Sequence, residues 1–398
     1  MGIEVSKKAA GIKQSATLAI TAKVKELKTQ GVDVIGFGAG EPDFDTPGNI
    51  KDAGIDSIKD GFTKYTPVGG VAELKDAIIA RIKQDYGIEY SQNEVMASCG
   101  AKHTLYNIAQ SVFNPGDEVI VPAPYWVSYP AQIELAGAVP VIVETNIKEE
   151  FKLTPQALEK KITPKTRALI LNYPSNPTGA TYDEKELKAI AETALEAGMC
   201  VISDEIYDKI LYGGRTHTPV AALGKKFKEN SILVNGVSKT YSMTGWRIGY
   251  AAGDKDVIAA MSRIQGQSTS NPPSMAQAAA IEALSGSQEV TGRRAEEFER
   301  RKDFITSRVK EMGFDCMPPH GAFYIFPSIE RFIGKKFGDK TITDSFEFTE
   351  FLLNQAKVAV VPGVEFGMEN HVRISYATSM ENIEEGMNRV EKAVSALS

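Results

Sequence analysis

Lys239 lies in the stretch SKTYSMTGWRIGYAAG, residues 238–253, among small hydroxyl residues and eight positions before Arg247. The apolar run SILVNGV precedes it, so this lysine leaves the end of a buried strand and enters a restricted, partly desolvated site. Desolvation disfavours the ammonium form, and the free amine is a nucleophile that can anchor a cofactor covalently. Most lysines are solvated surface charges, so the chemistry depends on what other segments bring to it.

Three further segments bear compatible groups at the ends of apolar runs, where functional groups gather in doubly wound sheets. Cys99-Gly100-Ala101-Lys102 follows EVMAS and opens a helical run, where small residues expose N–H groups to a phosphate. A plain strand-to-helix turn has the same composition. Ser175-Asn176-Pro177-Thr178-Gly179 follows RALILNYP, and its prolines stiffen a loop that can aim an amide; an ordinary Pro/Asn/Gly turn is the competing account. Asp204 ends the apolar run of CVISDEIY, a costly place for a carboxylate without a cation, and Tyr207 follows three residues on; a core salt bridge accounts for Asp204 equally well. Taken together they offer a phosphate cradle, an acid for a pyridinium nitrogen, two donors for a phenolate oxygen and an aldehyde-binding lysine. Those are the requirements of pyridoxal 5′-phosphate.

The elements that must position these groups alternate from about residue 70. VAELKDAIIARIKQDYG, EVMAS, KHTLYNIAQSVF and EVIVP are followed by strand candidates AVPVIVE, RALILNYP, CVISDEIY, SILVNGV and WRIGYAAG, with helices such as DEKELKAIAETALEAG between several of them. The pattern predicts an α/β fold with about seven strands in one mainly parallel sheet between helices. A charged run from Glu289 to Met312 predicts a long helix bridging two domains, with Arg300-Arg301-Lys302 on its solvated face. GAFYIF, VAVVPG and HVRISYA, spaced by helices FEFTEFLLNQA and MENIEEGMNRVEKAVSAL, predict a smaller α+β domain. The division is an N-terminal segment 1–45 packing with the small domain, a large cofactor-binding domain 46–285 and a small C-terminal domain 286–398.

A chain of 398 residues, 42% hydrophobic and 24% charged, can bury a sizeable core. Its net charge of −6 argues against nucleic acid or an anionic membrane as partner. Cys99, Cys200 and Cys316 lack disulfide or zinc spacing, and the four histidines show no metal-ligand pattern, so no metal is expected. The first residues lack the apolar core of a signal peptide, and no stretch reaches the ~18 apolar residues of a membrane span, which predicts a cytoplasmic protein.

The segments AGEPDFDTP, KYTPVGG, PYWVSYP, NYPSNPTG, SDEIY, SKTYSMTGWRIGY, GAFY and HVRISYA, in this order, resemble nearly end to end the fold-type I pyridoxal-phosphate enzymes of the class I/II aminotransferase family. Within it the chain is most similar to the bacterial and archaeal aspartate and aspartate/prephenate branch. The resemblance implies that Lys239 is the covalent anchor and the proton shuttle, and that Asp204 keeps the ring nitrogen protonated. It implies that Asn176 and Tyr207 hold the 3′ oxygen, that Trp126 stacks on the ring, and that Ser238, Arg247 and the backbone at Gly100 and Ala101 bind the phosphate. Composition alone makes Trp126 a core aromatic and Arg373 an exposed strand-edge residue. By resemblance Arg373 clamps the substrate α-carboxylate bidentately, as a planar guanidinium can, with Gly40 supporting it through its backbone. Tyr65 matches a tyrosine that reaches the phosphate of the neighbouring subunit, which implies a homodimer with shared active sites. Lys102, beside the phosphate turn, and Lys13, near Ser15 and Thr17, are the two candidates for a distal carboxylate, and both can equally be surface lysines. His103 departs from the glutamine common at its position.

The function expected is amino-group transfer between an L-amino acid, with aspartate preferred, and a 2-oxo acid, with 2-oxoglutarate preferred, in a ping-pong cycle, with glutamate and prephenate as further candidate substrates. The rivals are an aromatic or broad-range aminotransferase, and a pyridoxal-phosphate-dependent β-lyase or cyclopropane-forming synthase. A cofactor-binding transcription regulator would need an N-terminal DNA-binding domain, and AGEPDFDTP already begins at residue 39.

Overall fold

A computed structural model describes residues 2–12 and 16–398. Seven strands form the main sheet: β1 (Val95–Ser98), β2 (Glu118–Ala123), β3 (Val139–Glu144), β4 (Thr166–Asn172), β5 (Cys200–Asp204), β6 (Ser231–Gly236) and β7 (Gly249–Ala252), in the spatial order β1-β7-β6-β5-β4-β2-β3. Adjacent strands from β3 through β6 run parallel. The strand β7 is antiparallel to both of its neighbours.

These strands read as apolar runs because both faces of the sheet are covered. Alternate residues serve opposite cores: Val119 and Val121 of β2 pack on the side of the helix Ala101–Val112, whereas Ile120 packs with Leu187, Ile190 and Ala191 of the helix Glu184–Glu196. The latter helix starts at Asp183, whose carboxylate accepts from Glu186 N at 2.7 Å while Glu186 accepts from Asp183 N at 2.9 Å.

The reversal at β7 has a physical cause. A parallel return needs a crossover of about a dozen residues or more, generally built around a helix, to bring the chain back to the starting edge. Between β6 and β7 the chain forms only a short 3₁₀ turn at Thr244–Trp246, so it doubles back at the same end of the sheet. That one connection carries Ser238, Lys239 and Arg247.

Toward the C-terminus, β8 (Tyr324–Ile325), β9 (Val361–Pro362) and β10 (Val372–Ser375) form an antiparallel sheet in the order β9-β10-β8. Ile35–Gly36 pairs in parallel with Val358–Ala359, and Ile35 and Phe37 belong to the core that includes Phe323, Ile325, Val372 and Ile374. The long helix Glu289–Glu311 spans 23 residues. Arg301 on it does not lie on a solvated face: it is 5% exposed and donates to Asp43 Oδ1 at 2.7 Å and Glu297 Oε1 at 2.8 Å, with its guanidinium over Phe44. The charge survives burial because two carboxylates satisfy it. Among the described residues, no helix is long and apolar enough to cross a membrane.

Candidate active site

The carboxyl ends of β4, β5 and β6 open on a cavity of about 410 Å³. Gly40, Ala101, Lys102 and Trp126 line one part of it; Asn176, Asp204 and Tyr207 line another, with Ser238, Lys239, Arg247 and Arg373 completing the wall. Segments far apart in sequence thus converge on one volume. Gly100 stands just behind, and Tyr65 is 91% exposed and outside the cavity. Lys13 and Ser15 lie outside the described residues.

Lys239 donates from Nζ to Gly40 O at 2.5 Å. Burial lowers its pKa from 10.5 to about 8, with Glu41 and Asp204 pulling upward and the Arg247 and Arg373 charges pushing down. Glu41 itself accepts from Thr244 Oγ1 at 2.8 Å.

Asp204, the last residue of β5, is 4% exposed and has no ion-pair partner among the described residues. Burial raises its pKa from 3.8 to about 6, against the hydrogen bonds that favour its charged form. Tyr129 donates to Oδ2 at 2.7 Å, and Ile206 N donates to Oδ1 at 3.3 Å. Asn172 closes β4 beside it, donating to Asp204 O at 3.0 Å while its own Oδ1 accepts from Asn176 N at 2.8 Å.

The Gly100 backbone is left-handed, at φ +86°, and a Cβ there would come within 2.3 Å of Arg247 Nη2. The helix Ala101–Val112 begins immediately after, with no side chain capping its first N–H groups. Arg247 also has a positive φ, +59°, and donates to Thr244 O at 2.9 Å and Cys99 O at 3.3 Å. His103 Nδ1 accepts from Cys99 N at 3.3 Å, which gives this histidine a place in the turn.

Arg373, the second residue of β10 and paired in register with Val361, is 1% exposed. It donates to Asn176 Oδ1 at 2.9 Å and Gly38 O at 2.8 Å, and its Nε has no partner. The guanidinium sits over the rings of Tyr324 at 4.5 Å and Phe366 at 5.0 Å. Among the described residues no carboxylate pairs with it. A buried guanidinium with only neutral acceptors can take an anion. Lys102 Nζ lies 4.9 Å from the Trp126 ring centre, with its pKa lowered by burial and by Arg247.

Reading the sequence missed Tyr129, Asn172 and Tyr324. Tyr129 stands in the segment PYWVSYP and Tyr324 in GAFY, both singled out for other residues, and the signal for each is a polar-tipped aromatic in an otherwise apolar setting.

The family model for aminotransferase class I and II matches residues 32–390. The chain is 49% identical over 395 residues to an aspartate aminotransferase of Geobacillus stearothermophilus, covering 99% of this chain and 100% of the relative. It is 51% identical to a probable aspartate/prephenate aminotransferase of Rickettsia bellii, covering 97% and 98%. The crystal structure of the aspartate aminotransferase from Rhizobium meliloti superposes with a TM-score of 0.96 at 40% identity, over 100% of both chains. The chain belongs to the class I and II aminotransferases and is a pyridoxal-phosphate-dependent transaminase.

Proposed function

We propose that this transaminase moves the amino group of aspartate to 2-oxoglutarate in two half-reactions, as a cytoplasmic homodimer. The observation that carries the reading is the convergence on one cavity of a desolvated lysine with a buried carboxylate and a buried arginine that have no ion-pair partner among the described residues. The residues fit the cofactor. Asp204 offers the charge that a protonated ring nitrogen needs, and the Gly100 turn offers N–H groups and Arg247 in a cradle that a Cβ would fill. When bound, pyridoxal phosphate supplies an electron sink for the charge left on the substrate α-carbon.

The chain's own residues do the remainder. Lys239 would hold the cofactor through Nζ and, as a free amine, would move the α-proton; an amine with a pKa of about 8 can both take and return it near neutrality. Asn176 and Tyr207 would donate to the phenolate oxygen, and Trp126 would cover one ring face. Ser238, Arg247 and the backbone of Gly100 and Ala101 take the phosphate. Arg373 grips the substrate α-carboxylate, oriented by Asn176 and assisted by the backbone at Gly40. Lys102 supplies the second cation, for the distal carboxylate of aspartate or glutamate; Lys13 is proposed for the same group. A second cation in the cavity favours a dicarboxylate transaminase over an aromatic transaminase or a β-lyase, and the apolar Trp126 face beside it also suits prephenate.

Half-reaction absorbance changes with aspartate, glutamate, phenylalanine and arogenate test the substrate. Lys102→Ala should lower the aspartate rate constant at low substrate about 10- to 100-fold and leave phenylalanine within about twofold, because only one substrate loses a charge-assisted contact. Equal wild-type rates with phenylalanine and aspartate would overturn aspartate preference. Lys13→Ala, measured alongside, separates the two lysines.

The dimer rests on the surface. Tyr65 is almost fully exposed in the isolated chain, and Ile55 and Ile58 are 48% and 52% exposed on the helix Gly48–Lys59 that precedes it. Exposed apolar side chains on the helix before a tyrosine proposed to reach another subunit's phosphate support a self-complementary surface. Sedimentation equilibrium should return twice the chain mass, and a fully active monomer would contradict it. The proposed division into 1–45, 46–285 and 286–398 is supported by the core that joins Ile35 and Phe37 to the C-terminal strands.

A further inference from the structure

Tyr324, at the start of β8, is fully buried and lines the same cavity. Its hydroxyl is 2.8 Å from that of Tyr207, its ring lies 4.5 Å under the Arg373 guanidinium, and a Cβ on Gly40 would come within 3.1 Å of its oxygen. One side chain therefore touches both the group proposed to hold the cofactor's phenolate oxygen and the group proposed to hold the substrate carboxylate. We propose that Tyr324 is a positioning residue with two separable halves: the ring is the platform that orients Arg373, and the hydroxyl donates to Tyr207 and so sets how strongly Tyr207 donates to the cofactor. This inference rests on the roles proposed for Tyr207 and Arg373.

A phenol has one proton to give. When Tyr207 directs its proton to the cofactor oxygen, the 2.8 Å contact persists as a hydrogen bond only with Tyr324 as donor. Donation into the Tyr207 oxygen strengthens Tyr207's own donation, since chained hydrogen bonds polarise one another. Burial raises the pKa of Tyr324, and the Arg373 charge over its face opposes that rise and keeps the hydroxyl a competent donor. Asp204 is the other charged group acting on Tyr207, and Glu41, Arg247, Arg373 and Asp204, all on the cavity wall, act on Lys239.

The test is a pH titration of the visible absorbance of the lysine-bound cofactor in the holoenzyme, with KM for aspartate measured in parallel. Weaker donation leaves the phenolate oxygen more basic, so the linkage holds its proton more tightly. Tyr324→Phe should therefore raise the titration midpoint by about half a pH unit and leave KM within about twofold. Tyr324→Leu, which removes the platform, should raise KM about tenfold. Tyr207→Phe should raise the midpoint further, and adding Tyr324→Phe to it should produce no additional shift. An unmoved midpoint in Tyr324→Phe beside a shifted one in Tyr207→Phe overturns the inference and leaves the proposed function standing. Additive shifts in the double variant overturn it too, because Tyr324 would then act by another route. An unmoved midpoint in Tyr207→Phe overturns the role of Tyr207, and this inference with it.

Discussion

Lys239→Ala is expected to lower the rate of the aspartate half-reaction by at least ~10⁴-fold, the upper range for a single positioned acid–base group, while the protein still captures the cofactor without a covalent bond. The expectation follows from the lysine's surroundings. Burial brings its pKa from 10.5 to about 8, and Glu41 and Asp204 keep it from falling further. At pH 7.5 roughly a quarter of such amines are unprotonated, against about one in a thousand for an ordinary lysine. The reactive form is thus plentiful at neutrality, yet the amine remains basic enough to accept a proton from carbon. Rapid mixing with aspartate, monitored through the cofactor's absorbance, measures the loss. A variant retaining more than about 1% of the wild-type rate would mean that another group moves the proton. The wild-type apoprotein should also form the lysine linkage faster as pH rises through about 8, since the free amine is the nucleophile.

Asp204→Asn is expected to move activity and stability in opposite directions. The buried carboxylate has no ion-pair partner among the described residues, and burial raises its pKa from 3.8 to about 6 although the Lys239 charge across the cavity pulls it down. A raised carboxylate pKa means that the folded chain binds more protons than the unfolded one between those values. Its stabilising contribution is fully present below about 3.8 and is lost as pH rises through about 6. At pH 7 the wild-type apoprotein therefore carries a buried charge whose desolvation outweighs the Tyr129 and Ile206 hydrogen bonds and the attraction of Lys239, and the variant lacks that charge. The displacement corresponds to about 3 kcal/mol, so the variant apoprotein should be the more stable by about 2–3 kcal/mol at pH 7. Tyr129 can still donate to the amide oxygen, and the gap should close toward pH 4. Transamination should meanwhile fall about a thousandfold, because a preorganised charge has been taken from the place where it stabilises the reaction. Denaturant unfolding of the two apoproteins at pH 7 and pH 4, beside single-turnover rates, checks both signs. Equal stabilities at pH 7, or activity within tenfold of wild type, would contradict the assignment of Asp204 to the ring nitrogen. Lower stability in a residue kept for its charge is what a functional site costs the fold.

Much of this was legible in the sequence because the signals are local. Strands covered on both faces must be apolar throughout, so all seven appear as short apolar runs, and polar groups at their ends are conspicuous. Asp204 and Lys239 stand out for that reason, as do the stiffened loop around Asn176 and the small residues at Gly100. The amphipathic helices between strands reveal themselves by their period, and Glu289–Glu311 by its length and charge.

What the chain alone determined is therefore which groups stand at the ends of which elements, and through them the cofactor chemistry. Tertiary structure decided which groups meet. Tyr129 reaches Asp204 across 75 positions, and Tyr324 reaches Tyr207 across 117; an aromatic in an apolar segment gives no sign of where its hydroxyl points. Arg301 reads as a solvated charge until Asp43, 258 positions away, is seen to bury with it. The direction of β7 was likewise hidden, because an apolar run looks the same in either sense and only its neighbours' hydrogen bonds orient it. Local patterns record the free energy of burying a segment, which depends on its own side chains. Pairings across the fold record the satisfaction of polar groups that burial leaves wanting partners, and those partners are chosen only when the chain has closed on itself.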